Sequence, residues 1–133
     1  MTLSRSLRIL FAEDDSIAQR FAVALFEQHG HTVDIAYNGV AAVEAVSHAD
    51  YDIVLMDILM PELDGVVATM HIRAMAEPKC RIPIVAVTAN IMSGAREACL
   101  AAGMDAYISK PFEFETLMAI IERLTAARKP ANP

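Results

Sequence analysis

The chain is poor in the residues that mark several classes of protein. Its 133 residues include two cysteines, five glycines and no tryptophan. Cys80 and Cys99 are too few for a disulfide scaffold and too far apart for a metal-binding motif, so we expect reduced thiols. No apolar run approaches the roughly 18 residues of a membrane span. These absences argue against a disulfide-rich secreted domain and against an integral membrane protein.

An excess of positive charge is also missing. Eleven lysines and arginines face 17 aspartates and glutamates, which gives a formal net charge of -6. Because a nucleic-acid-binding domain normally presents a basic face, we expect no direct contact with nucleic acid. The apolar stretch 7–12 is too short for a signal peptide and stops at Glu13. The sequence therefore predicts a cytoplasmic domain with no membrane contact.

Apolar residues, by contrast, are abundant. They make up 55% of the chain and charged residues 21%, which is enough for a sizeable core in one domain of this length. Residues 1–6 are a polar lead-in that we expect to be disordered. The predicted domain covers 7–127, and residues 128–133, with two prolines, form a tail or linker.

Five short apolar runs alternate with five segments of helical spacing. The strands are predicted at 7–12, 32–36, 52–56, 83–87 and 106–109, and the helices at 17–28, after 38, at 65–75, 91–102 and 112–127. This alternation favours a parallel sheet covered on both faces. The predicted fold is a doubly wound, flavodoxin-like α/β domain with five strands in the order 2-1-3-4-5.

Helical spacing assigns inner faces to three of these helices. The predicted inward side chains are Ile17, Phe21, Ala24 and Leu25 in the first helix, Val40, Val43 and Val46 in the second, and Leu117, Ile120, Ile121 and Leu124 in the last. Ser16 and Asn38 are the predicted caps of the first two helices. The fourth helix is rich in alanine, so we expect it to be thinly packed and easily displaced.

Polar residues follow several predicted strands at their carboxyl ends. Glu13 and Asp14 follow the first strand, Asp57 the third and Thr88 the fourth, and Lys110 lies near the end of the fifth. Right-handed crossovers place all these ends on one rim of the sheet, where open α/β proteins bind ligands. Since the first and third strands are predicted neighbours, three carboxylates should converge there.

Three converging carboxylates repel one another unless a cation lies between them. Oxygen ligands without histidine or cysteine suit Mg²⁺, which leaves coordination positions for phosphate oxygens. Lys110 supplies a second positive charge and Thr88 a hydroxyl donor for such oxygens. Phosphoryl transfer needs mainly positioning and charge neutralisation. We interpret Asp57 as a carboxylate nucleophile that forms a labile aspartyl phosphate.

These motifs resemble those of the response-regulator receiver domains of two-component signalling, and the similarity extends over residues 7–126. The matching motifs are E-D-D at 13–15, M-D-I-L-M-P-E-L-D-G at 56–65, V-T-A-N at 87–90 and Y-I-S-K-P-F at 107–112. The stretch from Thr88 to Phe112 most resembles receivers attached to hybrid histidine kinases.

The resemblance implies roles for the residues around Asp57. It implies that Asp57 accepts phosphate from a phosphohistidine, and that Glu13 and Asp14 help to hold Mg²⁺. The backbone carbonyl of Leu59 is implied as a further metal ligand. In the family the peptide bond that corresponds to Lys110–Pro111 is typically cis.

Further roles concern the phosphoryl oxygens and the response to them. By resemblance, Lys110 and Thr88 contact these oxygens, and the ring of the switch residue Tyr107 follows the Thr88 hydroxyl. Leu59 and Asn90 are implied to tune the rate of dephosphorylation. Tyr107 fits equally well as an ordinary half-buried strand tyrosine, and no histidine is assigned a role.

The implied partner is a sensor histidine kinase or a histidine phosphotransfer protein. The chain is expected to act as a signalling phosphoacceptor that catalyses only its own phosphorylation and dephosphorylation, with no output domain. Phosphorylation should change the surface of the fourth helix, fifth strand and fifth helix. That surface is a candidate interface for a phosphorylation-dependent homodimer.

Three alternatives stay open. A flavodoxin-type cofactor binder needs a glycine- and hydroxyl-rich loop after the first strand, where this chain has Glu13, Asp14 and Asp15. A hydrolase of the haloacid dehalogenase type needs an acid two residues after its nucleophile, where this chain has Leu59. A degenerate receiver that acts only as a protein-docking module is opposed by the full set of site residues, but only chemistry can exclude it.

Overall fold

The computed structural model describes residues 6–60, 63–89 and 94–126, and strands and helices alternate along them. The strands are β1 (Arg8–Ala12), β2 (Thr32–Ala36), β3 (Ile53–Met56), β4 (Ile84–Thr88) and β5 (Ala106–Ser109). The helices are α1 (Ser16–Gln28), α2 (Gly39–His48), α3 (Gly65–Arg73), α4 (Ala95–Ala102) and α5 (Phe114–Thr125), with a 3₁₀ turn at Lys79–Arg81. Most of the predicted lead-in, Asn90 and the predicted tail lie outside the described residues.

The five strands form one sheet in the order β2-β1-β3-β4-β5, and every neighbouring pair is parallel. The predicted flavodoxin-like α/β fold and its strand order are therefore confirmed. All four residues of β3 are buried, as expected of a strand between two others with helices on both faces. Since the strands are parallel, their carboxyl ends share one rim of the sheet.

Strand side chains alternate between two faces, and each face packs against its own helices. Under α2, α3 and α4, the core includes Leu10, Val54 and Ala86 of the strands with Ala42, Val46, Ala68, Ile72 and Cys99 of the helices. Under α1 and α5, it includes Ile9, Leu55 and Val87 with Phe26, Leu117 and Ile121. Among the described residues, no helix is long and apolar enough to cross a membrane.

Side-chain caps start the first three helices. Asp15, Asn38 and Asp64 each accept a hydrogen bond from the backbone amide three residues further on, at 2.7–2.9 Å. The predicted Asn38 cap is confirmed, whereas the predicted Ser16 cap is wrong because Asp15 takes that place. The cap positions of α4 and α5 are Gly94 and Glu113, and neither makes a side-chain capping bond.

The predicted inner face of α1 is wrong. Ile17 and Phe21 are 75% and 66% exposed, and the buried residues of the helix are Gln19 and Phe26. Ala18, Ala22 and Phe26 also recur at four-residue spacing, and this second apolar row faces the sheet because its small residues allow close approach. Two large apolar side chains are thereby left on the surface.

Smaller corrections concern α2, α4 and α5. In α2, Val46 is buried but Val40 is 41% exposed, because Gly39 and Ala42 face the core instead. The helix α4 begins at Ala95, after Gly94 in a left-handed conformation, and its predicted start at 91 lies outside the described residues. The helix α5 begins at Phe114 rather than at 112, while its predicted inward residues do contact the core.

Arg73, the last residue of α3, joins three segments of the chain. Its guanidinium donates to the carbonyl of Gly103 after α4 at 2.9 Å and to those of Cys80 and Ile82 at 2.8 and 2.7 Å. It also pairs with Asp105, at 3.0 Å, ahead of β5. The carboxyl end of α4 is therefore firmly held, in contrast to its uncapped amino end.

The imidazole of His31 is part of the core, although no sequence pattern indicates a role for it. It is 3% exposed, and its Nδ1 accepts a hydrogen bond from the backbone amide of Leu7 at 3.0 Å. Burial lowers the pKa of His31, and the neighbouring His29 acts in the same direction. Protonation of Nδ1 would remove the acceptor that Leu7 needs.

We expect the stability contribution of His31 to depend on pH. Its folded-state pKa lies below the unfolded value of about 6.5, so the contribution is complete above that pH and declines as the pH falls through it. His31→Leu should lower the unfolding free energy by about 1–3 kcal/mol at neutral pH, because the Leu7 amide loses its partner.

Urea denaturation of wild type and His31→Leu across this pH range measures the difference, with the exposed His48→Leu as control. The wild-type advantage over His31→Leu should shrink on acidification. An advantage that stays constant below pH ~6 would contradict this account of His31.

Candidate functional site

Backbone hydrogen bonds continue the sheet by one residue at the rim. The amide of Glu13 donates to the carbonyl of Ala36 at 2.9 Å, and that of Asp57 donates to the carbonyl of Ala12 at 3.0 Å. The amide of Lys110 likewise donates to the carbonyl of Thr88 at 2.9 Å. Three of the sequence-predicted site residues are thus attached directly to the rigid ends of strands.

The three predicted acidic residues do converge. Carboxylate oxygens of Glu13, Asp14 and Asp57 lie within 4.8 Å of one another. Glu13 and Asp57 are buried, at 1% and 6% exposure, whereas Asp14 is exposed. Asp15 is not part of this cluster, since its carboxylate caps α1. The site is therefore an acidic recess that is open on the side of Asp14.

Lys110 also reaches this recess. Its Nζ lies 2.5 Å from Oε1 of Glu13 and 3.3 Å from Oδ2 of Asp57. The peptide bond between Lys110 and Pro111 is cis. One ammonium group therefore contacts two of the three carboxylates.

The ionisation of the site reflects its burial and this contact. Burial raises the pKa of Glu13, although the hydrogen bond from Lys110 opposes the shift. Burial alone would lower the pKa of Lys110, but its hydrogen bond to Glu13 and the charge of Asp57 outweigh that effect and the pKa is raised. Lys110 is consequently a permanent cation near neutral pH.

The donor set fits a hard divalent cation. All the clustered side chains offer carboxylate oxygens, without histidine or cysteine, which is the ligand type that Mg²⁺ prefers. With all groups ionised, the three carboxylates and Lys110 leave two uncompensated negative charges. A divalent cation would balance them, and the exposed side at Asp14 leaves room for further oxygen ligands.

Hydrogen bonds from backbone amides and one close backbone contact fix the loop that follows Asp57. The amide of Leu59 donates to Oδ1 of Asp57 at 3.1 Å, and the amide of Gly65 donates to the carbonyl of Ile58 at 3.0 Å. A Cβ at position 65 would lie 2.2 Å from the carbonyl oxygen of Asp57, so only glycine fits this close approach. The Leu59 side chain is 61% exposed.

Thr88 and Tyr107 lie on adjacent strands. Thr88 is fully buried at the end of β4, and Tyr107 is a half-buried residue of β5 in register with Ala86. The ring of Tyr107 packs against the core beneath α2, α3 and α4. Their predicted coupling as a switch stays a prediction, and so does the tuning role of Asn90.

Sequence reasoning missed one polar contact at the rim. The side-chain amide of Gln19 on α1 donates to the backbone carbonyl of Glu13 at 2.6 Å, and Gln19 is only 9% exposed. No sequence pattern assigns Gln19 a role. No periodicity marks it, since its burial follows from the rotation of the helix described above.

Several apolar side chains of α1 and of the loop before α5 are exposed. Ile17 and Phe21 are largely exposed, and Phe112 is 36% exposed in the loop before α5. Phe21, Pro111 and Phe112 also line a cavity of about 320 Å³ between α1 and α5, with Lys110 among its walls. An exposed apolar surface next to a charged site is typical of a protein-binding face.

Known proteins are similar to this chain in sequence and in structure. A family model described as the response regulator receiver domain matches residues 9–122. The chain is 36% identical over 150 residues to Probable histidine kinase 1 of Oryza sativa subsp. indica and 38% identical over 141 residues to Histidine kinase 5 of Arabidopsis thaliana. These matches cover 90% and 87% of this chain but 16% and 15% of those relatives, so the chain corresponds to a small part of each.

A solved receiver-domain structure is also similar to this chain. The receiver domain of the sensor histidine kinase PA1611 from Pseudomonas aeruginosa PAO1 superposes with a TM-score of 0.85 at 39% sequence identity. The match covers 92% of this chain and all of that one. That structure holds a magnesium ion coordinated in its active-site cleft.

Proposed function

Because this chain belongs to the response-regulator receiver family, we propose that it is a Mg²⁺-dependent phosphoacceptor whose nucleophile is Asp57. The phosphoryl donor is a phosphohistidine on a sensor kinase or a histidine phosphotransfer protein. The observation that carries the proposal is the convergence of Glu13, Asp14 and Asp57 on Lys110 at the sheet rim. A bound flavin or a hydrolase reaction has no comparable support in this site.

In the proposed reaction, a carboxylate oxygen of Asp57 attacks the phosphorus of the donor. A P–O bond forms, the P–N bond to the donor imidazole breaks, and the imidazole nitrogen keeps the electron pair and takes up a proton. Lys110 moves its contacts from the carboxylates to the phosphoryl oxygens, and Thr88 donates its hydroxyl to one of them. A hydrogen bond from the Asp57 amide to the Ala12 carbonyl and one from the Leu59 amide to the Asp57 carboxylate keep Asp57 in place throughout.

Glu13, Asp14, Asp57 and the backbone carbonyl of Leu59 would hold Mg²⁺. When bound, the ion neutralises the charge that otherwise repels an incoming phosphoryl group. Hydrolysis of the product requires a water molecule to reach the phosphorus. The exposed Leu59 side chain offers that water no polar partner, so Leu59 affects hydrolysis only by shielding the phosphorus from water.

The output is a shift between two conformations. Phosphorylation adds a charge of roughly -1.5 to -2 at the rim, which draws Thr88 toward the phosphoryl group and lets Tyr107 follow. The helix α4 is suited to move because its amino end lacks a side-chain cap and Cys99 is its one buried residue among those described. The surface of α4, β5 and α5 is then the proposed interface of a phosphorylation-dependent homodimer.

The proposed donor partner docks on the apolar surface formed by Ile17, Phe21, Pro111 and Phe112. Phe21, Pro111 and Phe112 line the same cavity as Lys110, which contacts Asp57, so a protein that covers them can bring its phosphohistidine to the nucleophile. Exposed Phe side chains are expensive to leave in water and favour burial against a partner.

Phosphorylation should add one phosphoryl group at Asp57. Incubation with acetyl phosphate and Mg²⁺ should raise the intact mass of the wild type by that group, while Asp57→Asn stays unlabelled because the nucleophile is lost. Asp64→Asn is the matched control, since asparagine can still cap α3. Failure of the wild type to gain mass with acetyl phosphate or phosphoramidate would instead favour a docking module.

Mg²⁺ affinity should depend on two of three consecutive acids. Glu13→Gln and Asp14→Asn should each weaken binding by about tenfold or more, because each removes a ligand charge. Asp15→Asn should leave the affinity within about twofold, since Asp15 caps α1 outside the cluster. Isothermal titration calorimetry measures all three, and equal losses in the three variants would refute the assignment.

Truncation of the apolar surface should slow phosphoryl transfer from a protein donor but not labelling by a small-molecule donor. Phe21→Ala should slow transfer from a phosphorylated histidine phosphotransfer protein by about tenfold, near 1.4 kcal/mol, as truncation of an interface anchor does. Its labelling by phosphoramidate should match the wild type, since the site is intact. Met70→Ala, which truncates an exposed side chain on α3, is the control. An equally slow transfer in Met70→Ala would contradict docking on the apolar surface.

A further inference from the structure

The three carboxylates of the site are held in different ways. The carboxylate of Glu13 contacts Lys110 and accepts from the amide of Asp15 at 3.2 Å. The carboxylate of Asp57 contacts Lys110 and the amide of Leu59. Among the described residues, the carboxylate of Asp14 makes no hydrogen bond or ion pair, although it shares the cluster. The direction of Asp14 is therefore set by its backbone.

The backbone that precedes Asp14 is fixed by α1. The carbonyl of Glu13 and the amide nitrogen of Asp14 belong to one planar peptide unit. The amide of Glu13 is bound to Ala36, and the carbonyl of Glu13 accepts from Gln19 at 2.6 Å. With both groups of Glu13 bound, the peptide plane that leads into Asp14 cannot rotate freely.

Gln19 is well suited to this contact. Its side chain is buried on the sheet side of α1 between Ala18 and Ala22, where an apolar residue would otherwise be expected. Only its NH₂ group can donate to a carbonyl oxygen, which fixes the orientation of the amide. The bond spans α1 and the end of β1, so it ties the helix to the acidic loop.

We propose that Gln19 is a positioning residue for the divalent cation, acting through the Glu13–Asp14 peptide to aim the Asp14 carboxylate into the cluster. The inference rests on the proposed cation site and extends it to a residue that contacts neither the ion nor the phosphoryl group. Groups that orient metal ligands typically change metal affinity by 10–100-fold when they are removed.

The test is a double-mutant cycle on Mg²⁺ binding in the metal-free protein. Gln19→Met keeps the length of the side chain and loses the donor, so Mg²⁺ affinity measured by calorimetry should fall by about tenfold. In an Asp14→Asn background the same change should have almost no effect, because its target carboxylate is gone. Thr125→Val removes a buried side-chain bond to the carbonyl of Ile121, at 2.8 Å, far from the rim, and should leave the affinity unchanged.

Two results would overturn the proposal. One is that Gln19→Met binds Mg²⁺ as tightly as the wild type. The other is that Gln19→Met lowers Mg²⁺ affinity equally in the wild-type and Asp14→Asn backgrounds, which indicates a general structural role. If Gln19→Met does not fold, Gln19→Asn serves the same cycle, since its shorter amide cannot reach Glu13. Acetyl phosphate labelling of the wild type reports separately on phosphoryl acceptance, so failure of either idea is recognised independently of the other.

Discussion

The proximity of three carboxylates at the sheet rim is the constraint on which the rest of the site depends. Oxygens of Glu13, Asp14 and Asp57 lie within 4.8 Å of one another, and two of these residues are buried. Like charges so close in a buried setting are unfavourable unless cations balance them. Lys110 balances one charge, and a bound divalent cation would balance the remainder. Under the proposed function, this deficit of positive charge means that the site would receive phosphate only with the metal bound.

The fold supplies this arrangement through strand ends rather than through a binding loop. The parallel order places β1 between β2 and β3, so Glu13 and Asp57 are fixed by hydrogen bonds to neighbouring strands. Packing on both faces holds those strands in place, and Gly65 lets the next helix begin against the carbonyl of Asp57. The helix α4 has no side-chain cap at its amino end, whereas Arg73 holds Gly103 just after its carboxyl end.

Much of this was accessible from the sequence because it depends on short-range patterns. Apolar strands followed by Asp57 and Thr88 in the sequence predict both the sheet and its rim. The rotation of α1 was not accessible, since Ile17 with Phe21 and Ala18 with Ala22 follow the same spacing. Burial of the larger pair looks more favourable locally, and only packing on the sheet selects the alanines. The contact of Gln19 with Glu13 and the burial of His31 depend on that tertiary packing.

The central claim is that Asp57, together with a divalent cation, accepts the phosphoryl group. Borohydride reduction of the protein after acetyl phosphate treatment converts an aspartyl phosphate to homoserine, which peptide mass spectrometry then locates. The account predicts homoserine at position 57 alone, and its loss when Mg²⁺ is chelated. Homoserine at another acidic residue, or equal labelling without the metal, would contradict it.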